Sequence, residues 1–529
     1  MNMKTYKIIA LALVAMTSLN SCSDFLTTEL TDAKKTSDSY FKTPAEANTA
    51  LTGCYNGLNL IWNSGVSLPV ASEVLSDNCF GATGASDGFG YQMLDEFNKT
   101  ISPADVSMYS GNWKNYYQAV YRCNVLLSKL DQVAWDSSNV ALKTQYKAEA
   151  RFIRAFCYFD MARLWEKVPL ITVPTIENVP QTEPAETYAQ IMKDLRFAVD
   201  SLPATAYSST TESGRVTKWA AEALLARVYL FYSGYYGATT IGGETAATAL
   251  KAVEDVIANS KHGLVDDFAA LWPAAAASKG VGYIGENNKE VVFSIKYSST
   301  GDYNGNITGN TWMVMTGIRE ESHFPYQYGW GACTIDPKLW NTFSGSDARK
   351  AASITSIVDE KIAFTKGPKN REYTGYYMKK YSPLCDEDGV SIATNFQIGQ
   401  SQDYFAIRYS DVLLMAAELG SANAQDDLDQ VRLRAGLTPV PVSKASVLAE
   451  RRLEFVGEGI RYWDLLRQGL STAASTIVAN TTFAIFTNGA TAPTPAQLQA
   501  NITTTRGFQQ IPNDQITLSS GVLKQNAGW

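Results

Sequence analysis

Histidine is almost missing from this 529-residue chain; His262 and His323 are the only two. That scarcity excludes most histidine-based metal sites and leaves a Ser-His-Asp triad without a ready base. Charged residues reach only 18%, below the usual share of about a quarter. The balance is acidic, 45 Lys and Arg against 52 Asp and Glu, for a net charge of −7. A nucleic-acid binder needs a basic face, and none is supplied in bulk. No Cys-x-x-Cys pair occurs, so zinc-ribbon and thioredoxin-like readings fail. Walker A, dinucleotide-binding and G-x-S-x-G patterns are missing where their chemistry requires them. The acidic turn Asp386-Glu387-Asp388-Gly389 lacks the spaced glutamate of an EF-hand loop and reads as a solvated turn. No cofactor and no metal are expected.

What is present starts with an address. Lys4 and Lys7 precede an unbroken apolar run over residues 8–16. That run is too short to span a bilayer and suits the core of a signal peptide. Leu19-Asn20-Ser21-Cys22 follows and resembles a bacterial lipobox. The resemblance implies removal of residues 1–21, acylation of Cys22 and a membrane-tethered mature chain. Asp24, close behind that cysteine, looks like the export signal of Bacteroidetes surface lipoproteins. No later stretch reaches 18 apolar residues, so the chain is expected to be anchored rather than spanning. Six further cysteines permit disulfides in an exported protein, although Cys123 and Cys157 sit in apolar helical stretches and read as core.

Residues 22–43 read as a tether, rich in Thr, Ser and Asp. A helical scaffold is predicted over 44–260, with helices at 44–60, 113–130, 146–165, 184–202 and 216–236. Their starts recur near a 34-residue helix-pair period, which predicts a mainly α solenoid. Residues 146–165 are apolar on more than one face, which places that helix inside the stack. Over 261–400 Gly, Asn, Ser and Thr dominate and 290–295 reads as a strand, so a mixed, partly β insertion is expected. Helices return over 401–470, and 471–529 reads as irregular.

Four stretches then match one family in order. They are Glu149-Ala150-Arg151-Phe152-Ile153-Arg154-Ala155 with 158–165, then 217–230, 407–418, and Glu450-Arg451-Arg452-Leu453-Glu454-Phe455 with Gly459, Arg461, Trp463, Asp464, Leu465 and Arg467. The tail, Ile511-Pro512 and 525–529, is a fifth. Together they resemble the SusD/RagB family. The resemblance implies tetratricopeptide-like helix pairs, no catalysis, an outer-membrane surface location and a SusC-like TonB-dependent barrel as partner.

Glu450, Glu454 and Glu458 recur at helical spacing and invite a carboxylate-pair glycosidase reading. The interleaved Arg451, Arg452, Arg461 and Arg467 argue against it, because nearby cations lower a carboxyl pKa whereas a general acid needs it raised. This set, with Arg408, Asp411 and Glu418, reads as a structural ion-pair network; Arg151 and Arg154 read as paired with buried partners. For ligand contact, aromatics in loops carried by a rigid scaffold are the better candidates, since a sugar ring needs a flat platform and polar groups at its rim. Two regions qualify, 76–109 and 311–330. They nominate Asp77, Asn78, Tyr91, Trp312, Tyr326, Tyr328 and Trp330; Trp113 reads as core. The leading expectation is a lipoprotein that captures oligosaccharide for a TonB-dependent transporter. The alternatives are the same role with peptide cargo, as in the RagB branch, a secreted glycosidase, or a structural adhesin.

Overall fold

The computed structural model describes residues 37–529 except 211–213, 305–306, 366 and 487–491; the leader and Cys22 lie outside the described residues. The first long helix, Pro44–Leu60, starts where local chemistry directs it. Thr43 and Glu46 form a reciprocal capping box, and Pro44 occupies the first turn, where its missing N–H costs nothing. Pro44–Leu60 packs on Ser110–Lys129 and Val140–Trp165; the stack continues through Pro184–Ser201, Lys218–Tyr236 and Ala246–Asn259. Ala246–Asn259 in turn packs on the returning helix Tyr409–Leu419, which carries Ala424–Arg434 and Lys444–Glu454. The chain is thus mainly α, as expected.

Val140–Trp165 is buried on every face over its last half, from Phe152 to Trp165. Its terminal carbonyls are answered by the chain's tail. Gln509 N–H donates to Leu164 O at 2.7 Å, and Asn526 Nδ2 donates to Trp165 O at 3.0 Å. Lys218–Tyr236 begins with the Thr217 cap and stops at Gly237, whose left-handed conformation (φ 70°) suits glycine.

The strand expected at 290–295 is found as Val291–Ile295. It pairs antiparallel with Tyr404–Arg408, so residues read as the start of a helix are a strand, and that helix begins at Tyr409. Among the described residues, the segment read as irregular holds three α-helices, Leu470–Asn480, Pro495–Thr504 and Asn513–Leu518. Its Thr-rich surface masks the signal, but Leu498 and Ile502 are buried at i, i+4 spacing behind a Thr494–Gln497 capping box. Ala246–Asn259, also unassigned from sequence, carries a similar box between Thr245 and Thr248. All six described cysteines are buried and unpaired.

The glutamate–arginine set folds into one dry lattice. Arg408, 1% exposed, reaches Glu290 at 2.5 Å and Glu454 and Glu458 at 2.8 Å. Arg434 also meets Glu290 and Glu454, while Arg349 ties Glu450 and Glu454 to Asp347. Burial pushes Glu454 up, but Arg434, Arg408 and Arg349 outweigh it and hold the carboxyl well below the usual range. That is the opposite of a general acid. Arg154 is likewise spent, forming a bidentate pair with buried Asp194.

Candidate functional site

A short four-stranded sheet brings the two nominated regions together. Cys79–Phe80 pairs antiparallel with Thr334–Ile335, which is followed across the sheet by Tyr376–Met378 and Ile354–Ser356. The loop after Phe80 therefore leaves the sheet next to the segment that precedes Thr334. A second pairing, Thr83–Gly84 with Asn370–Arg371, fixes that loop from the other side.

Two arginines then hold the loops in place. Arg371 donates to the backbone carbonyls of Ala85, Asp87 and Gly88 at 2.8–3.1 Å and lies 3.7 Å from the Phe89 ring centroid. Arg319 joins the two regions, pairing with Asp87 at 2.9 Å and donating to Trp330 O at 2.8 Å. Gly84 is needed at this crossing. A Cβ there would stand 2.3 Å from the Arg319 guanidinium. Gly317 and Gly329 also let two backbones approach, since a Cβ on Gly329 would fall 2.7 Å from the Gly317 Cα.

The result is an open cleft of about 380 Å³, lined among others by Asp87, Tyr91, Asp105, Met108, Arg319 and Trp330. That volume lies within the roughly 300–1,000 Å³ range of small-molecule sites. Trp330 is 39% exposed and its backbone is fixed by a 2.7 Å bond to Val314 O. Asp105 is oriented by the hydroxyl of Ser102. Burial raises the Tyr91 phenol, so it enters as a neutral hydrogen-bonding ring. An exposed indole, two methionines, a carboxylate pair and a guanidinium suit a ligand with flat apolar faces and a hydroxyl rim.

Behind the cleft wall lies an acidic cluster. Asp95 accepts from Gly81 N–H at 3.0 Å, and Gln92 donates to Thr83 Oγ1 at 3.0 Å. Burial, with the neighbouring carboxyls adding to it, raises Asp95 and Glu372; burial alone raises Glu96 to about 8.

Two of the seven nominated residues, Tyr91 and Trp330, line this cleft. Asp77 does not. It is buried and clasped by Arg461 at 2.7 and 2.8 Å and by Asn480 at 2.7 Å. Its desolvation is outweighed by Arg461 and Arg452, which lower its pKa. Asn78 is buried and occupied by Glu73 and Arg452. Trp312 is 2% exposed and packs on Tyr381 and Tyr404. Tyr326 is 1% exposed, with its hydroxyl on Glu360. These four have no surface to offer a ligand. Tyr328 is half-buried against Phe396, at 4.8 Å between centroids, and does not line the cleft. Trp113 is in the core, as read. Asp87, Asp105, Met108, Met315 and Arg319 were not nominated. Asp87, Asp105 and Arg319 carry a signal, being charges inside the nominated regions; Met108 lies in the same region beside an aromatic, Tyr109, that is buried in the core.

Fold and cleft define a class: a mainly helical frame carrying an open, loop-built ligand cleft. Among the described residues no helix is long and apolar enough to cross a membrane, and no group of His, Cys, Asp and Glu is arranged to hold a metal ion.

Comparison with known proteins makes the class specific. Residues 66–230 match a family model described as starch-binding associating with outer membrane, and 360–529 match the SusD family model. The chain is 25% identical to SusD-like protein P2 of Formosa agariphila, over the full length of both. A laminarin-binding SusD-like protein of solved structure is 26% identical, superposes with a TM-score of 0.72, and is matched over all of its length and 92% of this chain. Surface glycan-binding protein A from Bacteroides uniformis is 25% identical with a TM-score of 0.70, again over all of its length and 92% of this chain. The chain belongs to the SusD/RagB family.

Proposed function

We propose that this protein is a cell-surface lipoprotein that captures oligosaccharide in the Tyr91–Trp330 cleft and delivers it to a SusC-like TonB-dependent barrel, without chemical turnover. The observation that carries this reading is the cleft itself. It offers an exposed indole and a buried-edge phenol beside Asp87, Asp105 and Arg319. That pairing of flat ring and polar rim is what a pyranose needs. The glycan-binding relatives support the ligand class. Lipidation at Cys22 and residues 22–43 as a tether place the protein on the outer membrane, facing outward. The family resemblance adds the mode of action, a lid that clamps ligand between these loops and the barrel mouth.

The test is binding of the purified mature chain to a panel of soluble glycans, laminarin among them, against a tryptic peptide mixture. Glycan binding without release of shorter products, weakened about thirtyfold at the cleft by Trp330→Ala, is the expected result. Peptides that co-purify with the protein, and no glycan binding, overturn the ligand class in favour of peptide cargo. Separately, labelling with a palmitate analogue is expected to be lost on Cys22→Ala.

A further inference from the structure

A second cavity, of about 270 Å³, lies far along the chain from the cleft and shares no lining residue with it. It opens between residues 203–208, the start of Lys218–Tyr236 and the strand Val291–Ile295. Its volume sits near the lower end of the small-molecule range, enough for one or two sugar rings.

Two flat rings are set as a shallow platform in its wall. Tyr207 and His262 stand 5.1 Å apart between centroids, at 36° to each other. Neither is free to swing. The Tyr207 hydroxyl donates to Asn287 O at 3.1 Å, and its backbone N–H donates to Ser260 O at 2.7 Å. His262 Nδ1–H donates to Lys289 O at 3.0 Å, which leaves Nε2 the acceptor of a neutral ring. Burial lowers the His262 pKa, so the platform is uncharged at neutral pH. Phe293 adds an apolar wall.

The rim is polar and already oriented. Arg215 is held by Glu149 at 3.1 Å and Asn48 at 2.6 Å, so its charge is answered while the side chain remains 44% exposed. Gln145 donates from Nε2 to the same Glu149 at 2.9 Å, which turns its amide oxygen into the remaining acceptor. Pre-oriented rings with a donor and an acceptor at the rim cost little ordering on binding.

We infer that the Tyr207–His262 cavity is a second saccharide-binding site, taking one or two neutral pyranose rings of a glycan while the Trp330 cleft holds another part of the chain or another molecule. The inference rests on the glycan reading above and adds a site to it.

Isothermal titration with laminarihexaose, and with each panel glycan that binds, separates the two. Trp330→Ala is expected to retain a saturable binding event that Tyr207→Ala or His262→Ala removes, weakening that event at least about tenfold. Tyr207→Phe, which keeps the ring, is expected to stay within about threefold of the parent. Thermal melting of each variant identifies any that fail to fold; His262→Ala serves if Tyr207→Ala does. One binding event, abolished by Trp330→Ala and untouched by both Tyr207→Ala and His262→Ala, overturns the second site and leaves the cleft standing. No binding of any glycan to the parent protein overturns the glycan reading and this inference with it.

Discussion

Arg408 and Arg319 are the same residue put to opposite uses. Arg408 sits in a dry lattice where Glu290, Glu454 and Glu458 meet its guanidinium. Arg319 stands at a cleft wall, pairing with an Asp87 side chain that is 37% exposed. In the lattice every charge is answered by protein, and nothing is left to bind. At the cleft the Asp87 half of the pair meets solvent, while the Arg319 side chain is 11% exposed. Ion pairing alone therefore identifies neither a scaffold nor a site; the exposure of the partners does.

The sharpest way to break that comparison is to remove each arginine. Arg408→Met leaves three buried carboxylates short of a counter-charge, and the expected cost is about 3–5 kcal/mol. Arg319→Met removes a partly exposed pair together with the bond to Trp330 O, and is expected to cost about 1–2 kcal/mol, less than the lattice change. Denaturant unfolding of both variants measures the difference. Equal losses would mean that the cleft pair is as structural as the lattice.

A second contrast appears with pH. In the lattice and its neighbours, burial raises Glu454 and Asp464 but the surrounding arginines win and lower both. Such groups contribute stability that is present above the ordinary carboxylate pKa and lost as pH falls through their depressed values. Behind the cleft the sign reverses. Glu96, near-fully buried, is raised from 4.5 to about 8. Its neutral form is the stable one, so its contribution is fully present below about 4.5 and declines as pH rises toward 8. Glu96→Gln is expected to match the parent protein near pH 4 and to melt at a higher temperature at pH 8.5. An unchanged difference between the two pH values would place Glu96 in contact with water or a cation.

Much of the scaffold was legible because helix signals are local. Thr43-Pro44 with Glu46, and Thr217 ahead of an apolar run, mark their helices with no knowledge of the fold. The family motifs were legible for the same reason, and so was the presence of an ion-pair network over 450–467, but not its partners: Glu454 meets Arg349, Arg408 and Arg434 rather than Arg451, and Glu458 meets Lys380 and Arg408 rather than Arg461. The site was only half legible because burial is decided by distant partners. Trp312 and Trp330 look alike in sequence, both in a loop-rich stretch. Only the packing of Tyr381 and Tyr404 makes the first a core residue. Asp77 reads as a loop carboxylate until Arg461, 384 positions away, closes on it. Met108 and Asp105 lie inside the nominated stretch 76–109, but the aromatic beside them, Tyr109, is buried, so a search led by exposed loop aromatics passes over them.

The smallest effect on the fold belongs to the residue with the largest expected effect on binding. Trp330 is 39% exposed, and its backbone rather than its ring carries the local hydrogen bond to Val314. Trp330→Ala is expected to change stability by no more than about 0.5 kcal/mol, as surface substitutions do. The same change removes the cleft's exposed platform and is expected to weaken glycan affinity by about 2 kcal/mol, roughly thirtyfold. Tyr328→Ala, two positions earlier, makes the control. Its ring is committed to Phe396, so its loss is expected to lower the melting temperature and to leave affinity within about twofold. Titration and melting of both variants decide the matter. If Tyr328→Ala weakened binding as much as Trp330→Ala did, the binding surface would extend past the cleft onto the Phe396 ridge, and exposure would no longer separate the residues that hold the fold from those that meet the ligand.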